Sequence, residues 1–522
     1  MSKTESETPF LIGEDFVRRR NVAWRVEIGR TPDNPLLEPE MPWDDGHPFL
    51  HGTVLLDPTD GLWKAWGAAG QNDTRYRRQA RRLAYLESEN GIDWRRPELD
   101  LHPFGDYGRT NIVMDLDSGG NAIYANVFVQ PEAPEAQRYR MFVLRRFGLP
   151  ARDLGIQTIR GFTGPDGKES RSVGVYCYNS ADGLHWEPDV GPVLVESADL
   201  LSASATTDGI FLYPESDGSF SAYHKVVIRG FPGSILPYES GPGATRILVR
   251  RTSKDGLHWD AHEPCIQPDW RDPNDTEFME MAVTPVKGGY VGVLTVYRTS
   301  NQTLELQFAA SRDGRYWWRP DRRACVEQPP LGDYGGGMMW GSHHMIADGD
   351  DIHFYYSGLQ GIHGDMLGTQ DADQAALEGR DYAGLPPLHG EVYSRSADIL
   401  YFHGALCRAT WRRGRLWGLT TASGGHMEGT AVTSAEMDKG QSLDINACTV
   451  GDGEILAELL DGEGRVTQGF DRDACDPFSG DAVRHTITWK GESAAPADGL
   501  QVRFILRRAV LYGFEYSNEK ER

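Results

Sequence analysis

Short apolar runs bounded by Gly, Asp and Pro recur through most of this chain, with the length and the β-branched and aromatic content of strands. They fall into successive groups: 52–56, 62–66 and 83–86; then 123–129, 140–144 and 172–178; then 210–213, 221–227 and 246–251. Two more groups follow, at 281–285, 290–297 and 304–309, and at 343–346, 352–356 and 401–409. Each group ends in a version of one signature, Ser-x-Asp/Asn-Gly-x-x-Trp. It reads Ser88 to Trp94, Ser180 to Trp186, Ser253 to Trp259 and Ser311 to Trp317, with a degenerate fifth copy from Trp411 to Trp417 that keeps only the Gly and the last Trp. Asn-Gly or Asp-Gly supplies the backbone of a tight hairpin. The Trp three residues later is placed to start a returning strand and bury its ring. A repeated supersecondary unit of this kind predicts an all-β, five-bladed β-propeller with four strands per blade.

Polar, Gly-rich insertions interrupt the second and fifth groups at about 148–170 and 365–387. After about residue 419 the pattern changes to alternating apolar and polar runs at 443–446, 455–459, 485–489, 501–506 and 511–516. Alternation of that kind predicts a C-terminal β-sandwich with one solvated face per sheet. The expected organisation is an N-terminal tail and lead-in segment over 1–40, the propeller over 41–419 and the sandwich over 420–522. The opening residues, Met1 to Thr8, have the composition of a solvated tail and lack the charged-then-apolar pattern of a secretory signal.

Composition narrows the partners. The chain has 53 Lys and Arg against 76 Asp and Glu, a formal charge of −23, which repels nucleic acid and anionic membranes. No run of apolar residues is long enough for a membrane helix. The 6 Cys are scattered without metal-ligand spacing, the expectation for free thiols in the cytoplasm, and no metal or other cofactor is implied. A small neutral molecule is the ligand class that remains.

The innermost strand of every propeller blade starts at one rim of the central funnel, so residues just upstream of those strands converge on one pocket. Upstream of the first stand Trp43, Asp44, Asp45 and His47, upstream of the second Arg109 and Asn111, and upstream of the third Asp208. The densest cluster precedes the fourth, with Arg271, Asp275, Glu277 and Glu280; the fifth offers Trp340, His343 and His344. Asp45, Asp208 and Glu277 would put three carboxylates in one pocket. Cleavage of a glycosidic bond needs one acid to protonate the leaving oxygen and a second carboxylate to attack or to activate water. A third raises the pKa of the acid by like-charge repulsion. Trp43, Asp44, Asn111, Arg271, Asp275, Glu280, Trp340, His343 and His344 are the candidate substrate-binding residues. For several of them a packing role competes. Trp43 and Trp340 suit either a sugar-stacking platform or a plug, and of the adjacent His343 and His344 one is expected to point away. His363 lies in a loop that can reach the pocket.

The repeated hairpin, the five groups and the trailing β-region resemble glycoside hydrolase families 32 and 43, and the family 32-like proteins in particular. The resemblance covers most of the chain. It implies a small neutral glycoside as substrate, a furanoside among the options, with Asp44 or Asp45 matching the family's first carboxylate, Asp208 its middle one and Glu277 its last. On that basis Glu277 is expected to be the general acid, Asp45 the nucleophile or base, and Asp208 the orienting carboxylate, with Glu280 competing for the acid role. The chain departs from the family in lacking the Trp-Met-Asn-Asp-Pro-Asn-Gly stretch and the Glu-Cys pair, and its Arg271-Asp272-Pro273 triplet stands before the fourth group instead of the third. A transglycosidase or lyase on the same scaffold, and a non-catalytic carbohydrate-binding propeller, are the alternatives.

Overall fold

The computed structural model describes residues 9–44, 52–69, 82–115, 121–146, 174–190, 192–195, 202–204, 209–229, 244–363, 404–423 and 427–518. Strands β1 (Phe16–Arg20) and β2 (Val22–Val26) come first. Blade 1 runs from the axis outward as β3 (Thr53–Leu56), β4 (Trp63–Ala69), β5 (Arg82–Ser88) and β6 (Trp94–Arg95), with β7 (Ile112–Met114) also on β5. Blade 2 is β8 (Asn121–Val129), β9 (Tyr139–Arg146), β10 (Gly174–Ser180) and β11 (Glu187–Pro188), with β12 (Leu194–Val195) also on β10. Blade 3 opens with β13 (Ser202–Ser204) and β14 (Phe211–Pro214), both on β15 (Phe220–Arg229), followed by β16 (Ala244–Ser253) and β17 (Glu263–Ile266). Blade 4 is β18 (Thr276–Val286), β19 (Gly289–Arg298) and β20 (Thr303–Ser311), with a single bridge from Ala310 to Trp318 in the fourth position. In blade 5, β21 (Met338–Gly341) and β22 (Ile346–Asp348) pair with β23 (Asp351–Leu359), which pairs with β24 (Gly404–Arg412). The five-bladed propeller expected from the repeat is therefore the fold. Among the described residues no helix is long and apolar enough to cross a membrane.

The signature explains itself in atoms. In the first copy the Ser88 hydroxyl accepts from the Asn90 and Gly91 amides, and the Asn90 side-chain oxygen accepts from the Ile92 and Asp93 amides. Ser180 with Asp182, Ser253 with Asp255 and Ser311 with Asp313 repeat those bonds. Such local side-chain bonds are what make Ser and Asp turn formers. The turn glycine then meets an aromatic ring from the second strand of the neighbouring blade. Trp66 of β4 donates its indole N–H to the Gly183 carbonyl at 2.7 Å, and a Cβ on Gly183 would lie 2.8 Å from that ring. Tyr223 of β15 donates to the Gly314 carbonyl at 3.0 Å, and Tyr355 of β23 to that of Gly91 at 2.8 Å. Phe142 of β9 packs on Gly256 without a polar bond.

The fifth copy has lost the Ser and Asp acceptors, and its latch comes from elsewhere. The Gly414 carbonyl accepts from the side chain of Asn446, in the C-terminal sheet, at 3.2 Å. The returning strand does not form on blade 5 either. Trp417 starts β25 (Trp417–Thr421), and the outer edge of β24 is taken by the N-terminal segment, where Arg30 pairs with Thr410 and Leu37 with Leu406. Beyond β25 follow β26 (Gly429–Met437), β27 (Ser442–Leu460), β28 (Asp481–Thr486) and β29 (Leu500–Ser517). These make one seven-stranded sheet with the path β1-β26-β29-β25-β2, β27 pairing with β29 and β28 with β27. The long β27 and β29 shift register at bulges after Asn446 and Thr449, and both halves of each strand line a single core with Trp489 and Phe504. In the lead-in segment, the described residues supply two strands of the C-terminal sheet and the closing edge of blade 5. Its strands were missed because Arg18, Arg19 and Arg20 make β1 look polar; they face outward from an edge.

The latch makes a measurable distinction between two glycines. Gly183 and Gly218 both have positive φ, at 78° and 84°, but a Cβ on Gly218 has nothing within 4 Å. Gly218→Ala is expected to cost the backbone strain alone, about 1–2 kcal/mol. Gly183→Ala adds the displacement of Trp66, a further ~1–3 kcal/mol. Denaturant midpoints compare the two; equal losses would show that the contact with Trp66 contributes nothing.

Candidate active site

Around the axis, adjacent blades are tied by polar side chains of the inner strands. The Thr53 hydroxyl donates to the Ala125 carbonyl at 2.7 Å and accepts from the Val127 amide at 2.8 Å, joining blades 1 and 2. Asn126 spans blades 2 and 3, donating to the Ile210 carbonyl and accepting from the Leu212 amide. The Glu280 carboxylate accepts from the Gly341 amide at 3.0 Å, and the Thr284 hydroxyl from the Met345 amide at 2.8 Å. Both contacts have the same offset, so the inner strands of blades 4 and 5 run side by side in one direction. The ring closes where the Val54 amide donates to Ser342 and where His343 meets Thr53 at 3.0 Å.

Glu280 and His343 are thereby placed as parts of the ring. Glu280 also accepts from Thr295 and is fully buried, which makes it a linker of blades. His343 sits between Phe128 and Phe211, and His344 lies against it with ring centroids 4.5 Å apart. Burial, with the neighbouring imidazole, depresses the pKa of His343 far below the usual histidine value; burial pushes that of His344 down to about 4.

Glu277, three residues upstream of the ring on β18, is set differently. It is buried and forms an ion pair with Arg246 of blade 3. Arg246 in turn lies over the Tyr297 ring, 5.6 Å from its centroid, and Tyr297 is the register partner of Glu277 on β19. His363 packs on Tyr297 at 5.0 Å and on Trp340 at 6.3 Å. A carboxylate, a guanidinium and a phenol therefore meet where β18 begins, with the imidazole of His363 packed on the phenol and the indole of Trp340 beyond it. Beside a guanidinium the carboxylate is the anionic half of a buried pair, the state of a nucleophile, base or orienting charge. Arg246 and Tyr297 escaped the sequence reading because they come from strands away from the rim segments; the Glu277–Tyr297 register across one hairpin was the available signal.

Asp45 and Asp208 lie outside the described residues. Gly209 packs so closely on blade 4 that a Cβ would come 2.7 Å from the Met279 carbonyl oxygen. Asp44 is not free for substrate. It is buried, pairs with Arg96 at 2.7 Å and accepts from the Glu40 and Met41 amides. Trp43 donates its indole N–H to Asn111 at 2.6 Å and packs on Phe104 and Tyr107. Asn111 is buried and donates to the Tyr85 carbonyl. Trp43 and Trp340 therefore form no common platform; each is buried in its own cluster. Asp275 accepts from Ser300 beside Arg298, and Arg271 is exposed. All 6 cysteines are free thiols, and no group of His, Cys, Asp and Glu among the described residues is arranged to hold a metal.

No family model and no curated protein sequence matches the chain. Solved structures do. An N-acetylgalactosamine deacetylase from F. plautii, in complex with blood group B trisaccharide, superposes with a TM-score of 0.43 at 14% identity, over 74% of this chain and 95% of the other. A thermostable family-43 glycoside hydrolase gives 0.39 at 14% identity, over 60% and 84%. A family 43 arabinoxylan arabinofuranohydrolase from Bacillus subtilis, in complex with cellotetraose, gives 0.38 at 11% identity, over 93% and 98%.

The axial histidines carry a pH dependence. Both are neutral in the folded protein, whereas an unfolded histidine binds a proton below about pH 6.5. Their contribution to stability is complete above that value and is lost as pH falls toward 4, by up to about 1.4 kcal/mol per pH unit for each ring. His344→Gln is expected to flatten the decline in denaturation midpoint between pH 7.5 and 5. An unchanged slope would assign the decline to other groups.

Proposed function

We propose that the protein is an enzyme of the glycoside hydrolase kind, cleaving a neutral glycoside at the mouth of the axial funnel. The observation that carries this reading is the buried Glu277–Arg246 pair, with the guanidinium on the Tyr297 ring. Glycosidic cleavage passes through an oxocarbenium-like state, which an anionic carboxylate stabilises directly. In this proposal Arg246 keeps Glu277 ionised and oriented, and Glu277 attacks the anomeric carbon or activates water. The leaving oxygen then takes its proton from a second carboxylate, for which Asp208 and Asp45 are the candidates upstream of blades 3 and 1. Tyr297, buried with Trp340 and His363, backs the Arg246 guanidinium and fixes the pair in place.

Paired substrates test the role. With Glu277 as the attacking or water-activating group, Glu277→Gln lowers kcat/KM by at least about a hundredfold. The loss is the same for an aryl glycoside with a good leaving group and for an alkyl glycoside with a poor one. Activity that survives selectively on the good leaving group would return Glu277 to the general-acid role. Product analysis with and without an acceptor sugar separates hydrolysis from transfer. Binding without turnover across the panel would replace the enzyme with a carbohydrate-binding propeller.

A further inference from the structure

The turn that leads into β18 displays an indole to solvent. Trp270 is 91% exposed, more than any other large hydrophobic side chain described. Singly exposed hydrophobic residues are ordinary on protein surfaces. What sets this one apart is the support beneath it. Asp272 is buried and takes a two-point bond from Arg319, at 2.8 and 2.6 Å, while Arg322 reaches both Asp272 and Asp269. The Asp269 and Asp272 backbones close the turn on themselves: the Asp272 amide donates to the Asp269 carbonyl, and the Asp269 amide to the Asp272 carboxylate, each at 2.9 Å. The Arg319 guanidinium also lies over the Phe278 ring at 5.0 Å, and Phe278 is the residue after Glu277. The pedestal is therefore fastened to the strand that carries the candidate carboxylate.

Two side chains project from this fixed turn. Beside the indole, Arg271 is exposed and its guanidinium makes no hydrogen bond or ion pair among the described residues. A rigid indole costs little conformational entropy on binding, and its face accepts the apolar face of a sugar ring. The adjacent guanidinium offers several N–H donors to hydroxyl oxygens. Glu277 is the seventh residue after Trp270, so the two lie within about 25 Å of each other.

We propose that Trp270 and Arg271 form a distal subsite, binding a sugar unit of a neutral oligosaccharide whose scissile bond lies at Glu277. The proposal rests on the glycosidase reading for what happens at Glu277, but the platform itself is tested by binding. Full-length wild type and Trp270→Ala are run in affinity gel electrophoresis through soluble inulin, arabinan and galactomannan. Wild type is expected to be retarded by at least one of them, and Trp270→Ala to bind that polysaccharide about five- to tenfold more weakly. In kinetics, Trp270→Ala raises KM for the longer oligosaccharide of that polysaccharide, while kcat/KM for a minimal aryl glycoside stays within about twofold. Arg271→Ala shows a smaller shift in the same direction.

Equal retardation of wild type and variant, or no retardation of wild type by any of the three, overturns the proposal. A change in sedimentation coefficient for Trp270→Ala would also overturn it, by showing that the indole seats a second copy of the chain. Loss of retardation in a protein that turns over no glycoside keeps the platform and removes the hydrolase. Turnover with retardation unaffected by Trp270→Ala does the reverse.

Discussion

The propeller depends on one contact repeated around its ring: an aromatic side chain from the second strand of one blade seated on the turn glycine of the next. The contact works only because two requirements coincide at the glycine. The turn needs a positive φ there, and the neighbouring ring needs the space a Cβ would fill. Where the ring carries an N–H or O–H, as in Trp66, Tyr223 and Tyr355, it also satisfies the glycine carbonyl. A single residue type thus sets local turn geometry and inter-blade spacing together, and its repeats are the pattern visible along the chain.

Inside that ring, polar side chains of the inner strands tie four of the five blade interfaces, and they separate two carboxylates that look alike. Glu280 and Glu277 are three residues apart on β18 and both are buried. Through one carboxylate oxygen Glu280 accepts from the Gly341 backbone of the next blade and from Thr295 of its own. Glu277 is balanced by a guanidinium from the preceding blade and faces aromatic side chains. One ties the scaffold; the other has the surroundings of a reacting group.

The blade number was legible because a tight turn accepts few residue types, and Ser, Asp or Asn, and Gly each leave a fixed mark at fixed spacing. The receiving rings were not, since Trp66 and its turn are 117 residues apart in the chain. The same distance problem hid Arg246 as the partner of Glu277. Trp43, Asp44 and Asn111 were read as pocket residues from their place before an inner strand. Nothing in the sequence distinguishes a polar group that waits for a ligand from one already satisfied by Arg96, a backbone amide or an indole. The fifth signature was informative in its decay: with its turn acceptors gone, Asn446 and the N-terminal segment took over the work of a hairpin.

The pairing of β1 with β26 has a consequence for how the protein is made. Phe16 faces Thr433, so β1 stays without its partner until β26, far along the chain, has been synthesised. In the interval it is an unpaired strand edge, the kind of segment that recruits other nascent chains. Arg18, Arg19 and Arg20 put a block of positive charge on that edge and remain exposed on it after assembly. The same three arginines that disguise the strand as a polar tail place on that edge the kind of charge that disfavours pairing with a second unpaired edge.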